Sequence, residues 1–329
     1  MRTVTLEEHV TFPELLRHFL TLAGPQGGLA IDRSPFLQSL EGRLADVGEE
    51  RLQSMDANGI DLQVLSIVGT GAEALEPSPG VDFAYLYNET LAHRIKKHPS
   101  RFAAFAHLPM TAPAAAADEL ERTVKEHGFK GALIKGMTRG RFLDDPSFDP
   151  ILSRAEQLDV PIYLHPAPPP QAVFDAYYRD LPRNSGTLLS LSGFGWHSET
   201  ALHVLRMILS GVFDVHPRLK LVIGHMGEML PMMMARCDEK FKVNSVAVNQ
   251  RSISQTLKDQ VYVTTSGIFT RPPLDAAIET FGIDRVLFSV DYPFSPNEDG
   301  RHFLNSLQLD ESSLQKISHA NADLLLKLS

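Results

Sequence analysis

A chain of 329 residues with 43% hydrophobic and 22% charged residues has ample apolar material for a large core, which argues against disorder as its main state. Its 40 acidic residues outnumber its 31 basic ones, for a net charge of −9, and no basic run is long enough to track phosphates, so nucleic acid is not an expected partner. No apolar stretch approaches the roughly 18 to 20 residues that cross a bilayer, Cys237 has no second cysteine to pair with, and the first residues lack the order of a secretory signal; a cytoplasmic protein with no membrane partner is expected.

The first predicted strand is "TVTLEE", residues 3 to 8, and it runs into His9. Side chains alternate in an extended segment, so Glu7 and His9 share one face and Glu8 points away, towards a hydrogen bond or ion pair. An irregular insertion follows over 23–47. Helical spacing over 47–60 leads to a strand at 62–67, over 83–99 to one at 102–107, over 113–128 to one at 131–135, and over 149–159 to one at 161–165. A long loop occupies 165–200. A helix over 199–217 then precedes a strand at 219–225, a seventh strand is predicted at 261–266, and a helix over 273–282 precedes the eighth at 285–291. This alternation predicts the α/β class and a single (β/α)8 TIM-barrel domain over 1–329. An open doubly wound sheet is the competitor, but no glycine-rich nucleotide fingerprint follows the first strand.

In such a barrel the carboxyl ends of the strands surround one mouth. Glu7, His9, His107, His165, His225 and Asp291 all fall at such ends. Taken singly, a strand-end histidine is more often a hydrogen-bonded structural group, and an aspartate before Tyr-Pro can simply start a turn. Together, imidazoles and carboxylates make a mixed nitrogen and oxygen shell suited to Zn²⁺ or Mn²⁺.

The segments "LEEH", "YLHP" at 163–166, "GHMGE" at 224–228, "TTSG" at 264–267 and "LFSVDYPF" at 287–294 resemble the amidohydrolase superfamily, as does the longer stretch 199–228. More narrowly they resemble its decarboxylase branch, which holds aminocarboxymuconate semialdehyde decarboxylase and the dihydroxybenzoate decarboxylases. That branch opens with Glu-x-His where most of the superfamily's hydrolases carry His-x-His. The resemblance implies one divalent metal ion and no organic cofactor, with Glu7, His9, His165 and Asp291 as ligands. It implies His225 paired with Glu228 for proton transfer, Asp291 as proton donor, Arg236 on the substrate side, and a homodimer or homotetramer.

Trp196 and Phe294 could flank a flat ring, while aromatic residues are also ordinary core material. His107 is expected to be structural. The methionines of "MLPMMMAR", 229–236, are expected to pack against a helix or a second subunit. Three departures bear on the substrate: the loop "VGTGAEAL", 68–75, replaces an Ala-Pro segment, Lys135 stands where those enzymes commonly carry Asn, and Ile268 stands where a polar residue is frequent. A lysine at the mouth could pair with a second anionic group. The expected activity is decarboxylation of a hydroxybenzoate-like or unsaturated carboxylic acid. Hydrolysis or hydration of a small carboxylate or lactone by a metal-bound water is the alternative.

Overall fold

A computed structural model describes residues 1–24, 35–244 and 247–328. All eight predicted strands are present, shorter than expected at several ends: β1 (Val4–Val10), β2 (Leu62–Ile67), β3 (Phe102–Ala104), β4 (Ala132–Lys135), β5 (Ile162–His165), β6 (Leu221–Ile223), β7 (Val261–Thr264) and β8 (Val286–Leu287). Neighbours pair in parallel in sequence order, from β1 to β3 and from β4 to β8. A bridge between Ala106 and Ala132 joins the two sheets. The closing seam between β8 and β1 is made largely by a side chain. The buried Glu8 carboxylate accepts from Ser289 Oγ at 3.1 Å and from the Val290 and Tyr292 amides, both at 2.9 Å, while the His9 amide donates to Tyr292 O at 2.7 Å. Such acceptance by one carboxylate replaces part of a strand ladder. The fold is the expected (β/α)8 barrel.

Its apolar material forms two layers. Val4, Leu6, Val64, Phe105, Leu133, Tyr163, Val222 and Leu287 fill the barrel interior. A larger layer lies between strands and surrounding helices, with Val10, Leu65, Ile134, Leu164 and Ile223 meeting residues such as Phe83, Leu120 and Leu257. Strand residues two apart thus face one layer, as the pleat requires. The helix Pro113–His127 is typical of the outer ring: proline sits in its first turn, Gly128 ends it at φ 71°, and Ala116, Leu120 and Thr123 are buried. Among the described residues, no helix is long and apolar enough to cross a membrane.

The expected irregular insertion over 23–47 needs correction. Residues 25–34 lie outside the described residues, but Pro35–Ala45 is a helix, with Leu40 and Leu44 turned inward at its spacing of four. The long loop after β5 likewise contains the short helices Gln171–Tyr177 and Ser185–Ser190, and the helix expected from 199 starts at Gly195.

Candidate active site

Strict alternation along β1 would put Val4 and Leu6 inside the barrel and Glu7 outside it. A register shift between Thr5 and Glu8 changes this parity. Glu7 then turns inward, where its Oε2 accepts from the hydroxyl of Tyr163 and, at 3.3 Å, from Thr264 Oγ1. A bulge re-aims a side chain in this way. His9 follows on the same face, and the fully buried Arg51 supports it from behind by donating to His9 O at 2.8 Å. Gly224 permits the close fit above Glu7, since a Cβ there would lie 2.6 Å from Glu7 Oε2.

His165 ends β5 two residues after Tyr163. Its Nδ1 lies 2.7 Å from Pro166 O, and its Nε2 is 3.3 Å from Glu7 Oε1. The donor atoms of Glu7, His9 and His165 all fall within 4.8 Å of one another. Asp291 joins them from the segment after β8, with Oδ1 3.1 Å from His9 Nε2.

Gly224 leads into an unusual turn after β6. His225, Met226, Gly227, Glu228 and Met229 have φ of 51°, 56°, 91°, 52° and 66°. L-residues rarely hold consecutive left-handed positions, which cost of order 1–3 kcal/mol each and persist where the surroundings enforce them. The turn places His225 and Glu228 on one side, Nδ1 to Oε1 2.7 Å, and aims His225 Nε2 at the centre, 3.8 Å from Glu7 Oε1 and 4.0 Å from Asp291 Oδ2. The other oxygen of Glu228 meets His197 Nδ1 at 2.6 Å, so one buried carboxylate joins two imidazoles.

Burial and mutual charge divide these groups. Burial would raise Glu7, but His225, His165 and His9 outweigh it and hold the carboxyl down at about 2. Burial lowers His9 and His165 to about 4, against the pull of Glu7, leaving both neutral at pH 7. Burial would also lower His225, but Glu228 and Glu7 overcome it and raise the imidazole to about 10. Asp291 is pushed up to about 7 by burial and then by Glu7. With His165 neutral and its Nδ1–H directed at Pro166 O, the Nε2 lone pair faces Glu7. Glu7 Oε1 is buried and has no hydrogen-bond partner among the described residues. An orphaned carboxylate oxygen beside imidazole lone pairs suits a divalent cation, which would satisfy both.

These groups open into a cavity of about 1160 Å³, lined by Trp196, Phe294, Lys135, Glu73 and many apolar side chains. Phe294 meets His9 edge-on, centroids 5.6 Å apart, and Trp196 meets His165 at 6.4 Å. Arg236 departs from expectation. It is 61% exposed on the helix Met234–Asn244, pairs with Glu239 at 3.2 Å, and does not line the cavity. Its own turn of helix directs it outward, so within this chain it does not reach the mouth. Lys135 does reach the mouth but is not a free cation: its Nζ lies 3.3 Å from Glu73 Oε1 and donates to Gly69 O. His107 holds the loop, its Nε2 accepting from the Ala72 amide at 2.9 Å.

Sequence reading missed His197, Tyr163, Glu73 and Arg51. His197 sits between Trp196 and the start of the expected helix; extending that helix by one turn would have brought it into consideration. The parity of "PIYLH" puts Tyr163 and His165 on one face, a usable signal for Tyr163. Neither Glu73 nor Arg51 carries a comparable local pattern.

A family model described as amidohydrolase matches residues 39–328. Decarboxylase orsB of Emericella nidulans is 38% identical over 297 residues, 88% of this chain and 88% of that protein. Gamma-resorcylate decarboxylase of Rhizobium sp. is 36% identical over 338 residues, 99% of this chain and 98% of its own. A solved structure of the dihydroxybenzoic acid decarboxylase of Polaromonas sp., with bound manganese and the inhibitor 2-nitroresorcinol, is 33% identical with a TM-score of 0.88, covering 99% of this chain and 97% of that one. Geometry and similarity agree: the chain belongs to the amidohydrolase family, in the branch that contains these carboxy-lyases.

Proposed function

We propose that the protein is a metal-dependent, non-oxidative decarboxylase of a small hydroxybenzoate-like acid. The observation that carries this reading is the orphaned Glu7 Oε1, facing the Nε2 atom of His165 beside the acid Asp291 at the floor of a largely apolar cavity. Glu7, His9, His165 and Asp291 would hold one divalent ion, manganese or zinc. Such an ion would supply positive charge to offset that of an anionic ortho-hydroxybenzoate at the floor of the cavity.

The chain's own groups handle the proton. Asp291 delivers it from a carboxyl oxygen to the ring carbon that bears the carboxylate; the bond from that carbon to the carboxylate then breaks, carbon dioxide leaves, and its electron pair restores the aromatic ring. His225 Nε2, 4.0 Å from Asp291 Oδ2, returns a proton to that carboxyl. Glu228 orients His225 through Nδ1, and His197 holds Glu228 in place. Trp196 and Phe294 present apolar edges to the ring and help exclude water.

The same reading places copies of the chain together in a homodimer or homotetramer in the cytoplasm, a surface for which is offered by Met232 and Met233, 71% and 51% exposed. The test is incubation of manganese-loaded protein with a panel of ortho-hydroxybenzoates, followed by mass spectrometry and detection of released gas. A product lighter by carbon dioxide is expected, and only with metal present. A product changed by the elements of water, with no gas released, would overturn the decarboxylase reading in favour of hydrolysis or hydration.

A further inference from the structure

We propose that Lys135 and Glu73 form a charge-neutral hydrogen-bonding subsite in the cavity wall, which selects substrates bearing a further hydroxyl group over substrates bearing a second carboxylate. The inference rests on the reading that the cavity takes an ortho-hydroxybenzoate, and it narrows which one.

Placement comes from the barrel. Lys135 ends β4 directly opposite His165 in the parallel register, and it shares the face of Leu133, which points into the barrel interior. Its side chain therefore rises beside the His165 imidazole at the mouth. Glu73 comes from the loop after β2, on the short helical turn Ala72–Ala74. Both side chains line the cavity and are only 11% and 16% exposed.

Glu73 is fixed from several sides. Its Oε1 accepts from the Gly71 amide at 3.0 Å and lies 3.3 Å from Lys135 Nζ, while its Oε2 lies 3.8 Å from His107 Nε2. The loop is pressed onto His107 so closely that a Cβ on Gly71 would be 2.5 Å from Nε2. Because that nitrogen accepts from the Ala72 amide, the His107 ring adds no positive charge towards Glu73. One ammonium and one carboxylate remain, and they cancel.

A second carboxylate on the substrate could approach Lys135 only by coming alongside Glu73, and the like charges would repel in a poorly solvated wall. A hydroxyl meets no such conflict. It can donate to a Glu73 oxygen and accept from Lys135 Nζ at once, which suits a neutral pair of opposite ends. The cavity lining also includes the apolar Val68, Ala74, Met137 and Ile268 and the polar Thr70 and Arg139, and the Arg139 guanidinium is paired with Glu76 at 2.7 Å. Sites built to hydrogen-bond a hydroxyl discriminate strongly against analogues that cannot return the bonds.

The experiment is calorimetric titration of manganese-loaded wild type, E73Q and K135N with 2-nitrophenols, which have no carboxylate to lose at the reacting position. Each carries a hydroxyl, a methyl or a carboxylate at one of the remaining ring positions. At one position, wild type is expected to bind the hydroxyl compound ~10-fold or more tightly than the carboxylate compound. E73Q, which leaves the ammonium uncompensated, should reverse that order; K135N should keep it and weaken the carboxylate compound further. Equal binding of hydroxyl and carboxylate compounds at every position in wild type would overturn the proposal. So would an unchanged order in an E73Q protein whose circular dichroism and metal content match wild type. Should E73Q fail to fold, K135N decides: retention of wild-type affinity for the carboxylate compound refutes the subsite. Gas release from the matching hydroxybenzoates is scored separately, so absence of decarboxylation refutes the proposed function while the binding order still judges the subsite.

Discussion

The two walls of the cavity are held by different means. On one side Glu7, His9, His165, His225 and Asp291 stand on or just beyond strand ends, tied to buried groups such as Tyr163, Arg51 and Glu228. On the other, Glu73 stands on a loop held by the Ala72 amide to His107, by Lys135 to Gly69 O and Glu73, by Arg139 to Leu75 O, and by the buried Ala72 and Leu75 side chains. Strand ends held by main-chain ladders and buried side chains locate a reacting centre within tenths of an ångström, whereas a loop can change without disturbing them. The contrast assigns chemistry to the first wall and choice of substrate to the second, and substitutions in each should separate the two.

The largest effect is expected at Asp291. D291N keeps the shape and removes the transferable proton, so kcat should fall by about 10³-fold or more while the circular dichroism spectrum and melting temperature stay near those of wild type. Addition of a chelator should abolish turnover and manganese should restore it. Turnover by D291N within tenfold of wild type would move the proton-donating role elsewhere and break the assignment of chemistry to this wall.

Acid should weaken the second wall through His107. Burial lowers this histidine from 6.5 to about 4, so the unfolded chain takes up a proton at higher pH than the folded one. Its contribution to stability is therefore complete above pH 6.5 and is lost as pH falls towards 4. The full difference corresponds to roughly 3 kcal/mol. His9 and His165 shift the same way in metal-free protein, so the comparison must be with a variant. Denaturant unfolding of metal-free wild type and H107Q at pH 7 and pH 4.5 should show the smaller pH dependence in H107Q. Equal slopes would mean that His107 is not held neutral by the loop.

E228Q should reduce kcat by about 10²-fold, the usual scale for a group that serves acid–base transfer, with little change in KM. A rise in KM with kcat unchanged would instead make the His225–Glu228–His197 chain part of substrate binding.

The same contrast explains what could be read in advance. Eight strands and most helices follow from short branched-apolar runs and helical spacing, which are local signals. The residues at the strand ends could be grouped because barrel topology alone brings them together. What escaped depends on backbone detail. The inward turn of Glu7 agrees with the pairing of Glu7 and His9, but the register shift that permits it leaves no mark in the pattern of "TVTLEE". Glu228 and His197 meet across 31 residues, and Lys135 meets Glu73 through a turn that composition does not announce. Arg236 was placed at the mouth by resemblance, and its helix turns it to the surface.

The smallest effect expected is also the sharpest test of the loop wall. Alanine at Gly71, which has φ −145° and ψ −145°, would add a Cβ on the side of the loop that faces His107. That Cβ would overlap His107 Nε2, at 2.5 Å, and the imidazole is too tightly enclosed to withdraw. The loop must then move outward and carry Glu73 away from Lys135, while Glu7, His9, His165 and Asp291 stay on their strand ends. G71A is therefore expected to raise KM about tenfold for a hydroxyl-bearing substrate and to leave kcat within about twofold, a loss of binding without loss of chemistry. Steady-state kinetics with that substrate measure both. A fall in kcat comparable to that in E228Q would show that movement of the loop reaches the reacting centre, and the two walls would then have to be treated as one mechanical unit.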